Sequence, residues 1–226
     1  MPDEFLTFQK FTESGIASEI AELLKANNID YQVLDTNKIF DPSFANNSFD
    51  PDIILKIKPA DFIKANAVLD DYYKPLVNNI DKDYYLFEFT DEELLDIISM
   101  SDQWGHFDYQ LAQKILKERG KEVNPERTNQ LREQRTKDLS KPEAAHWRLV
   151  YLGYFFAVVS IYSVFSVLPA YILGWLLAFF KKTLPDGTRV FVYRKEERNH
   201  GKIMLLMAAI VLIVWLFRWF KFLYER

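Results

Sequence analysis

A run of 32 residues, Leu149 to Phe180, contains no Asp, Glu, Lys, Arg or His. Only a bilayer or the core of a large protein can take such a run out of water. A helical span needs about 20 apolar residues, so the run is too long for one upright pass and short for two ordinary ones. Ile203 to Phe217 adds 15 uncharged residues, carried to Phe220 if Arg218 is allowed. Residues 149–226 therefore read as an all-α transmembrane region, made of a long apolar segment (149–180), a basic loop (181–202) and a transmembrane helix (203–220).

Cytoplasmic segments beside membrane spans are enriched in Lys and Arg. Residues 119–148 carry eight such residues and residues 181–202 carry seven. A short hairpin turning near Ser166 to Pro169 keeps both basic flanks on the cytoplasmic side and sends only the last helix outward. One long tilted helix, with Tyr171 to Phe180 in the interface, is the alternative. Ser160, Ser163 and Ser166 lie at helical spacing, and Pro169, with Gly153 and Gly174 on either side, marks a place for a kink or a tight reversal. Trp215, Trp219 and Tyr224 gather at the end of the last helix, where amphipathic rings favour the lipid-water boundary, and are the expected interface anchors. Arg218 is close enough to that end to snorkel to the headgroups.

Charge divides the chain. Residues 1–110 hold 8 of the 28 Lys+Arg against 22 of the 32 Asp+Glu, leaving 20 against 10 for residues 111–226. An acidic front repels phosphates, so nucleic acid is not an expected partner. Met1-Pro-Asp-Glu-Phe lacks the basic start of a secretory signal, so the front half is expected to stay in the cytosol.

Within the front, Phe5 to Phe11 reads as a strand, and Ser14 opens a helix in which Ile16, Ile20, Leu23 and Leu24 share a face. Tyr31 to Asp35 and Ile53 to Lys58 alternate as two more strands, joined by a polar loop over Thr36 to Asp52. Pro59-Ala-Asp begins a second helix carrying Phe62, Ala65 and Leu69, and Asp83 to Phe89 supplies a fourth strand. The order βαββαβ, with both helices on one face of an antiparallel sheet, is the ferredoxin-like arrangement expected for residues 1–89. The whole chain is then α+β.

Phe5 to Tyr73 resembles a small bacterial family described as signal-transducing protein domains. The likeness rests on Ala17 and Leu23-Leu24, on Asn28-Ile-Asp-Tyr31, and on Ile57 followed by Pro59, Asp61, Ala65 and Leu69. It implies a regulatory or adaptor module, loosely similar to the nitrogen-regulatory PII fold, and it brings no catalytic residues. The Thr36 to Asp52 loop departs from a minimal version of that domain and is either a partner-contacting loop or an idle insertion.

Thr90-Asp-Glu-Glu93 is a capping-box pattern, launching Leu94, Leu95, Ile97 and Ile98. A further helix from about Asp108 carries Leu111, Ala112, Ile115 and Leu116 and stops at Gly120, which makes 90–120 a helical extension. Asn124-Pro125 starts a helix to about Leu139 with only Leu131 and Leu139 strongly apolar, so 121–148 reads as a charged, solvated linker. In the basic loop, Leu184-Pro-Asp-Gly187 and the alternating residues after it predict a small hairpin at the membrane surface. The pattern Lys182, Leu184 to Gly187, Arg189-Val190, Tyr193, Arg198 and His200-Gly201 looks like a cassette of uncharacterised bacterial membrane proteins. Arg189, Arg194, Arg198 and His200 are the candidate contacts to acidic headgroups or a partner's carboxylates, against the plainer reading of a topogenic loop.

Catalytic patterns are absent from the sequence. It has no cysteine, and with 7 glycines a phosphate-cradling loop has no obvious place. Asp102, His106 and Asp108 form the best group of acid-base or metal-ligating types, but a metal site needs three or four converging ligands and Trp104 and Phe107 beside them suit packing. No catalytic residue, cofactor or metal is assigned. The expected function is that of a membrane-anchored signalling or adaptor protein, not an enzyme, held by the lipid bilayer and binding a protein partner or small ligand through its cytosolic domain. The alternative is an accessory subunit of a membrane transporter or membrane enzyme complex.

Overall fold

The computed structural model describes residues 4–35 and 53–225. Its elements run β1 (Leu6–Phe11), α1 (Ser14–Ala26), β2 (Tyr31–Asp35), β3 (Ile53–Ile57), α2 (Phe62–Leu76), α3 (Asp91–Ser99), α4 (His106–Glu118), α5 (Pro125–Ser140), α6 (Trp147–Val159), α7 (Val167–Phe179), β4 (Lys181–Thr183), β5 (Arg189–Phe191) and α8 (Lys195–Tyr224). The chain is α+β and divides into two units. The first runs to Leu139 and adds Thr183–Thr188; the second takes Ser140–Lys182 and the chain from Arg189 onward. The loop over 36–52, expected to contact a partner or sit idle, lies outside the described residues.

In the first unit, alternation builds the sheet: Leu55 and Ile57 of β3 are buried and Lys56 between them is not. β3 is central in the order β1-β3-β2 and antiparallel to both neighbours. The register with β1 shifts between Thr7 and Gln9. This bulge at Phe8 puts Leu6 and Phe11 both on the buried face although their spacing is odd. Ala17, Ile20, Ala21 and Leu24 of α1 join them in the core, while Ile16, expected on that face, is exposed. The helix ends in a Schellman motif: Asn28 takes φ 54°, its N–H donates to Lys25 O at 3.0 Å, and the N–H of buried Ile29 donates to Leu24 O at 3.0 Å.

The fourth strand expected over Asp83 to Phe89 does not form; Tyr85–Glu88 make a 3-10 turn instead. Tyr84 and Tyr85 donate to the two oxygens of Asp108, at 2.6 and 2.8 Å. Consecutive strand residues face opposite ways and could not both reach one carboxylate. The sheet therefore has three strands where the ferredoxin-like order needs four. Leu86 and Val77 instead join Leu94, Ile97, Ile98, Tyr109, Leu111, Ile115 and Leu116 in a second core cluster. The capping box of α3 is present, with Glu93 N–H on Thr90 Oγ1 and Thr90 N–H on Glu93 Oε2. Gly120, at φ 73°, closes α4 as the sequence predicts.

In the second unit the long apolar run folds as a helical hairpin, α6 packing on α7. The chain reverses over Ser160 to Ser166, ahead of the expected Ser166 to Pro169. Pro169 sits inside the first turn of α7, where its missing N–H breaks no helical bond. α8 is 30 residues and is long and apolar enough to cross a membrane. It packs on both hairpin helices through small residues. Gly153 and Ala157 of α6, Ala170, Gly174 and Ala178 of α7, and Gly201 and Ala208 of α8 are buried, and of the large apolar residues of these helices Leu177 and Met204 are buried with them. Large apolar side chains point the other way: Phe155, Leu168, Ile172, Leu206, Ile213 and Phe217 are exposed. Soluble cores have the opposite arrangement, whereas close approach through small residues is how helices associate in lipid.

The tightest approach is Gly174 against Gly201. A Cβ on Gly201 would lie 2.6 Å from Gly174 O and 2.7 Å from Ala178 N, both backbone atoms that move only with their helix. At Gly153 the added Cβ would meet Met204 Sδ at 2.5 Å, the far end of a flexible side chain. Gly201→Ala should thus destabilise the helical unit by about 1–3 kcal/mol through overpacking. Gly153→Ala should change it by less than about 1 kcal/mol, since the gain in helix propensity offsets the crowding. Thermal unfolding of the two variants in detergent distinguishes them; equal losses would contradict the backbone-contact account.

Candidate functional site

A group of charged residues of the first unit, Asp70, His106 and Arg132, meets where α2, α4 and α5 come together. α2 presents Phe62, Ala65 and Leu69 to the core and so turns Asp70 toward its flank. Gly105 opens α4 and sets His106 at its first position. α5 has little apolar surface, yet Thr128 is buried and Leu131 packs on the second core cluster. Arg132 and Arg135, three residues apart on α5, lie on neighbouring turns of one face. What holds α5, the expected solvated connector, is therefore a pair of arginine-carboxylate bridges.

Asp70 is the centre of one. His106 Nδ1 is 2.8 Å from its Oδ1, and Arg132 Nη2 donates to its Oδ2 at 2.7 Å. The side chains of Asp70 and His106 are 15% and 19% exposed. Burial works against the carboxylate charge, but the hydrogen bonds from His106 and Arg132, with the arginine charge, outweigh it and hold Asp70 below its ordinary value. The Arg132 guanidinium also lies over the Tyr109 ring, 4.6 Å from its centre, and His106 stacks parallel to Tyr73 at 6.3 Å. The second bridge is bidentate, Arg135 Nε and Nη2 donating to Asp102 at 2.8 and 2.9 Å.

Beside Asp70 opens a cleft of about 480 Å³, with Asp71, Lys74, Lys114, Lys117, Glu122 and Arg132 on its walls. Lys114 Nζ donates to Val77 O and Asn78 O at 2.8 and 3.1 Å, and Lys117 pairs with Glu122 at 2.8 Å. The walls are nearly charge-balanced and mix polar and apolar surface about equally, which suits a ligand that carries charge or amide groups beside some apolar surface.

Asp102, His106 and Asp108 do not converge. Each has its own partner, namely Arg135, Asp70 and the Tyr84-Tyr85 hydroxyls, and no group of three metal-binding side chains occurs among the described residues. Burial and the Asp108 hydrogen bond push the Tyr85 phenol up to about 12.

In the basic loop, Arg189 and Arg194 are exposed, on β5 and at the N-cap of α8. Arg198 is turned inward: its guanidinium lies 3.3 Å from the centre of the Phe191 ring and its Nε is 3.4 Å from Ala178 O, an orphan carbonyl at the end of α7. His200 Nδ1 is 2.9 Å from the Tyr154 hydroxyl, tying α8 to α6. Comparison with family models, with characterised proteins and with solved structures finds no match to this chain. Of the expected anchors, Trp219 and Tyr224 are exposed, whereas Trp215 is half-buried with its Nε1 donating to Ser160 O at 3.0 Å. Sequence reasoning missed Asp70, Arg132 and Arg135. The spacing of the two arginines on a helix with so few apolar residues was the one available signal.

Asp70→Asn leaves Arg132 and His106 without their anion and should cost the first unit about 1–3 kcal/mol. A carboxylate with a lowered folded pKa contributes its stability above the unfolded value and loses it as pH falls through the folded one. The gap between wild type and variant in thermal unfolding should therefore close as pH falls below about pH 4. A gap that persists undiminished in strong acid, well below the ordinary carboxylate range, would contradict the assignment.

Proposed function

We propose that the chain is a membrane-anchored binding module. The observation that carries this reading is the inverted packing of α6, α7 and α8, whose buried residues are mainly small and whose large apolar side chains, Leu177 and Met204 apart, are mainly turned outward. Such a surface is stable against acyl chains and unstable against water. α8 is the proposed membrane span, and the eight and seven basic residues flanking the hairpin support a cytosolic first unit at a bacterial inner membrane. Arg189 and Arg194 are both exposed, and Arg194 at the N-cap of α8 is the contact proposed for anionic headgroups.

The first unit is the recognition element, a signalling or adaptor head. Support comes from the resemblance of Phe5 to Tyr73 to the signal-transducing family and from the cleft at Asp70. Its ligand is a protein partner or a small polar molecule. The exposed apolar faces of α6–α8 support the second reading, an accessory subunit whose helices meet those of a transporter or membrane enzyme.

The full chain should remain in the membrane fraction after alkaline carbonate washing, and its release would end the anchor reading. Crosslinking and pull-down from native membranes, run on the wild-type chain and on a variant with Asp71→Lys and Lys74→Glu, separates the two partner readings. Both positions are exposed on the cleft wall, so the exchange leaves the core alone. A partner lost in the variant supports the head; a partner retained at wild-type level supports the accessory-subunit reading.

A further inference from the structure

Resting on the anchor reading, the lengths and hydrogen bonds of the second unit support a statement about how the hairpin lies in the bilayer. α6 and α7 are 13 residues each, so each is about 20 Å long, against a hydrocarbon core of about 30 Å. α8, at 30 residues, extends about 45 Å and is the one helix that crosses with length to spare. Trp215 marks how far the hairpin reaches along it, because its indole N–H bonds Ser160 O at the reversal. Trp215 lies 12 residues after Ile203, where the uncharged run of α8 begins. That is about 18 Å of helix, which leaves the tip roughly 10 Å short of the far edge of the core.

A chain reversal inside hydrocarbon must satisfy its own backbone, since no water is there to do so. The reversal does this for five of its seven N–H groups. The N–H groups of Ser160, Ile161, Tyr162, Ser163 and Ser166 donate to Phe156, Val158, Val159, Val159 and Ser163 carbonyls at 2.9 to 3.1 Å. The Ser160 hydroxyl donates to Ala157 O at 2.6 Å, and Ser160 O accepts from Trp215. Besides Ser160, Ser163 and Ser166, the side chains at the tip are apolar or aromatic and exposed, Phe165 at 86% and Tyr162 at 84%. At the open end of the hairpin, by contrast, Arg148 and Lys181 are exposed cations of the kind that anionic headgroups attract, while Lys182 pairs with Glu143 at 2.6 Å.

We propose that the α6–α7 hairpin is a re-entrant element: it enters the bilayer from the side of the basic flanks, turns at Ser160–Ser166 within the acyl-chain region and leaves on the same side, with α8 as the single complete span. The surface at Tyr162 and Phe165 is a lipid-binding surface, and its partner is the acyl chain rather than a headgroup or a second protein.

The chain contains no cysteine, so single cysteines report without background. The test is labelling of the full chain in right-side-out and inside-out membrane vesicles by a membrane-impermeant maleimide, before and after detergent. Lys82→Cys, in an exposed turn of the first unit, marks one side, and Tyr224→Cys, 93% exposed, marks the other. Ile213→Cys, exposed midway along α8, tests the anchor reading. Phe165→Cys tests the tip, with Leu168→Cys, also exposed, as the second variant if the first expresses poorly. The proposal requires Lys82→Cys and Tyr224→Cys to label from opposite sides, and Ile213→Cys and the tip to lose all labelling until detergent is added. A tip labelled from the Tyr224 side makes the hairpin two full crossings; a tip labelled from the Lys82 side puts it outside the bilayer. Either overturns the re-entrant hairpin while a protected Ile213→Cys keeps the anchor. Labelling of Ile213→Cys without detergent overturns the anchor reading itself.

Discussion

The approach of Gly174 to Gly201 sets the geometry on which the second unit depends. Neither position tolerates a Cβ without moving the opposite backbone, since the added atom would meet Gly201 O at 3.0 Å or Gly174 O at 2.6 Å. Two helices so close bury little apolar area per residue, and the large side chains that would fill a soluble core are displaced to the outside. The exposed Phe155, Ile172, Ile213 and Phe217 follow from that choice. Polar links then fix the remaining degrees of freedom: Tyr154 with His200, Trp215 with Ser160, and Arg198 with the end of α7.

The first unit solves a different problem. Its two apolar clusters lie under a three-stranded sheet and under α3 and α4 respectively. A sheet that small has little independent stability, and helices must supply the rest. α5 joins through Asp70–Arg132 and Asp102–Arg135 rather than through a hydrophobic stripe. Such bridges are worth modest energy but fix orientation, because a guanidinium accepts few arrangements about a carboxylate. Asp70 and Arg132 of the first bridge line the cleft, so the binding surface is only as well shaped as the docking of α5.

Local signals in the sequence were legible. The capping box at Thr90, the stop at Gly120, the alternation at Leu55 and Ile57 and the Pro-Asp-Gly turn all depend on a few neighbouring residues. Gly187 in that turn takes φ 85°. What failed depended on partners distant in sequence. Asp83 to Phe89 has strand-like residues, but Asp108 draws two adjacent tyrosines to one side and forces a turn. α5 has no stripe for periodicity to detect, because its attachment is ionic. Arg198 and Trp215 look like surface residues by type, yet their donors belong to the carbonyls that helix ends leave orphaned. Gly153 and Gly174 were visible as flanks of Pro169, and their packing role emerges only when α8 is laid against them.

The central claim is that the outer faces of α6–α8 meet lipid. Electron paramagnetic resonance of nitroxides placed at Leu206, Ile213 and Leu168 in reconstituted bilayers measures this directly, because oxygen concentrates in hydrocarbon and a nickel chelate stays in water. The account predicts higher accessibility to oxygen than to the chelate at all three sites, with the depth at Leu168 inside the acyl-chain region. Dominant accessibility to the nickel chelate at Ile213 and Leu206 would contradict it.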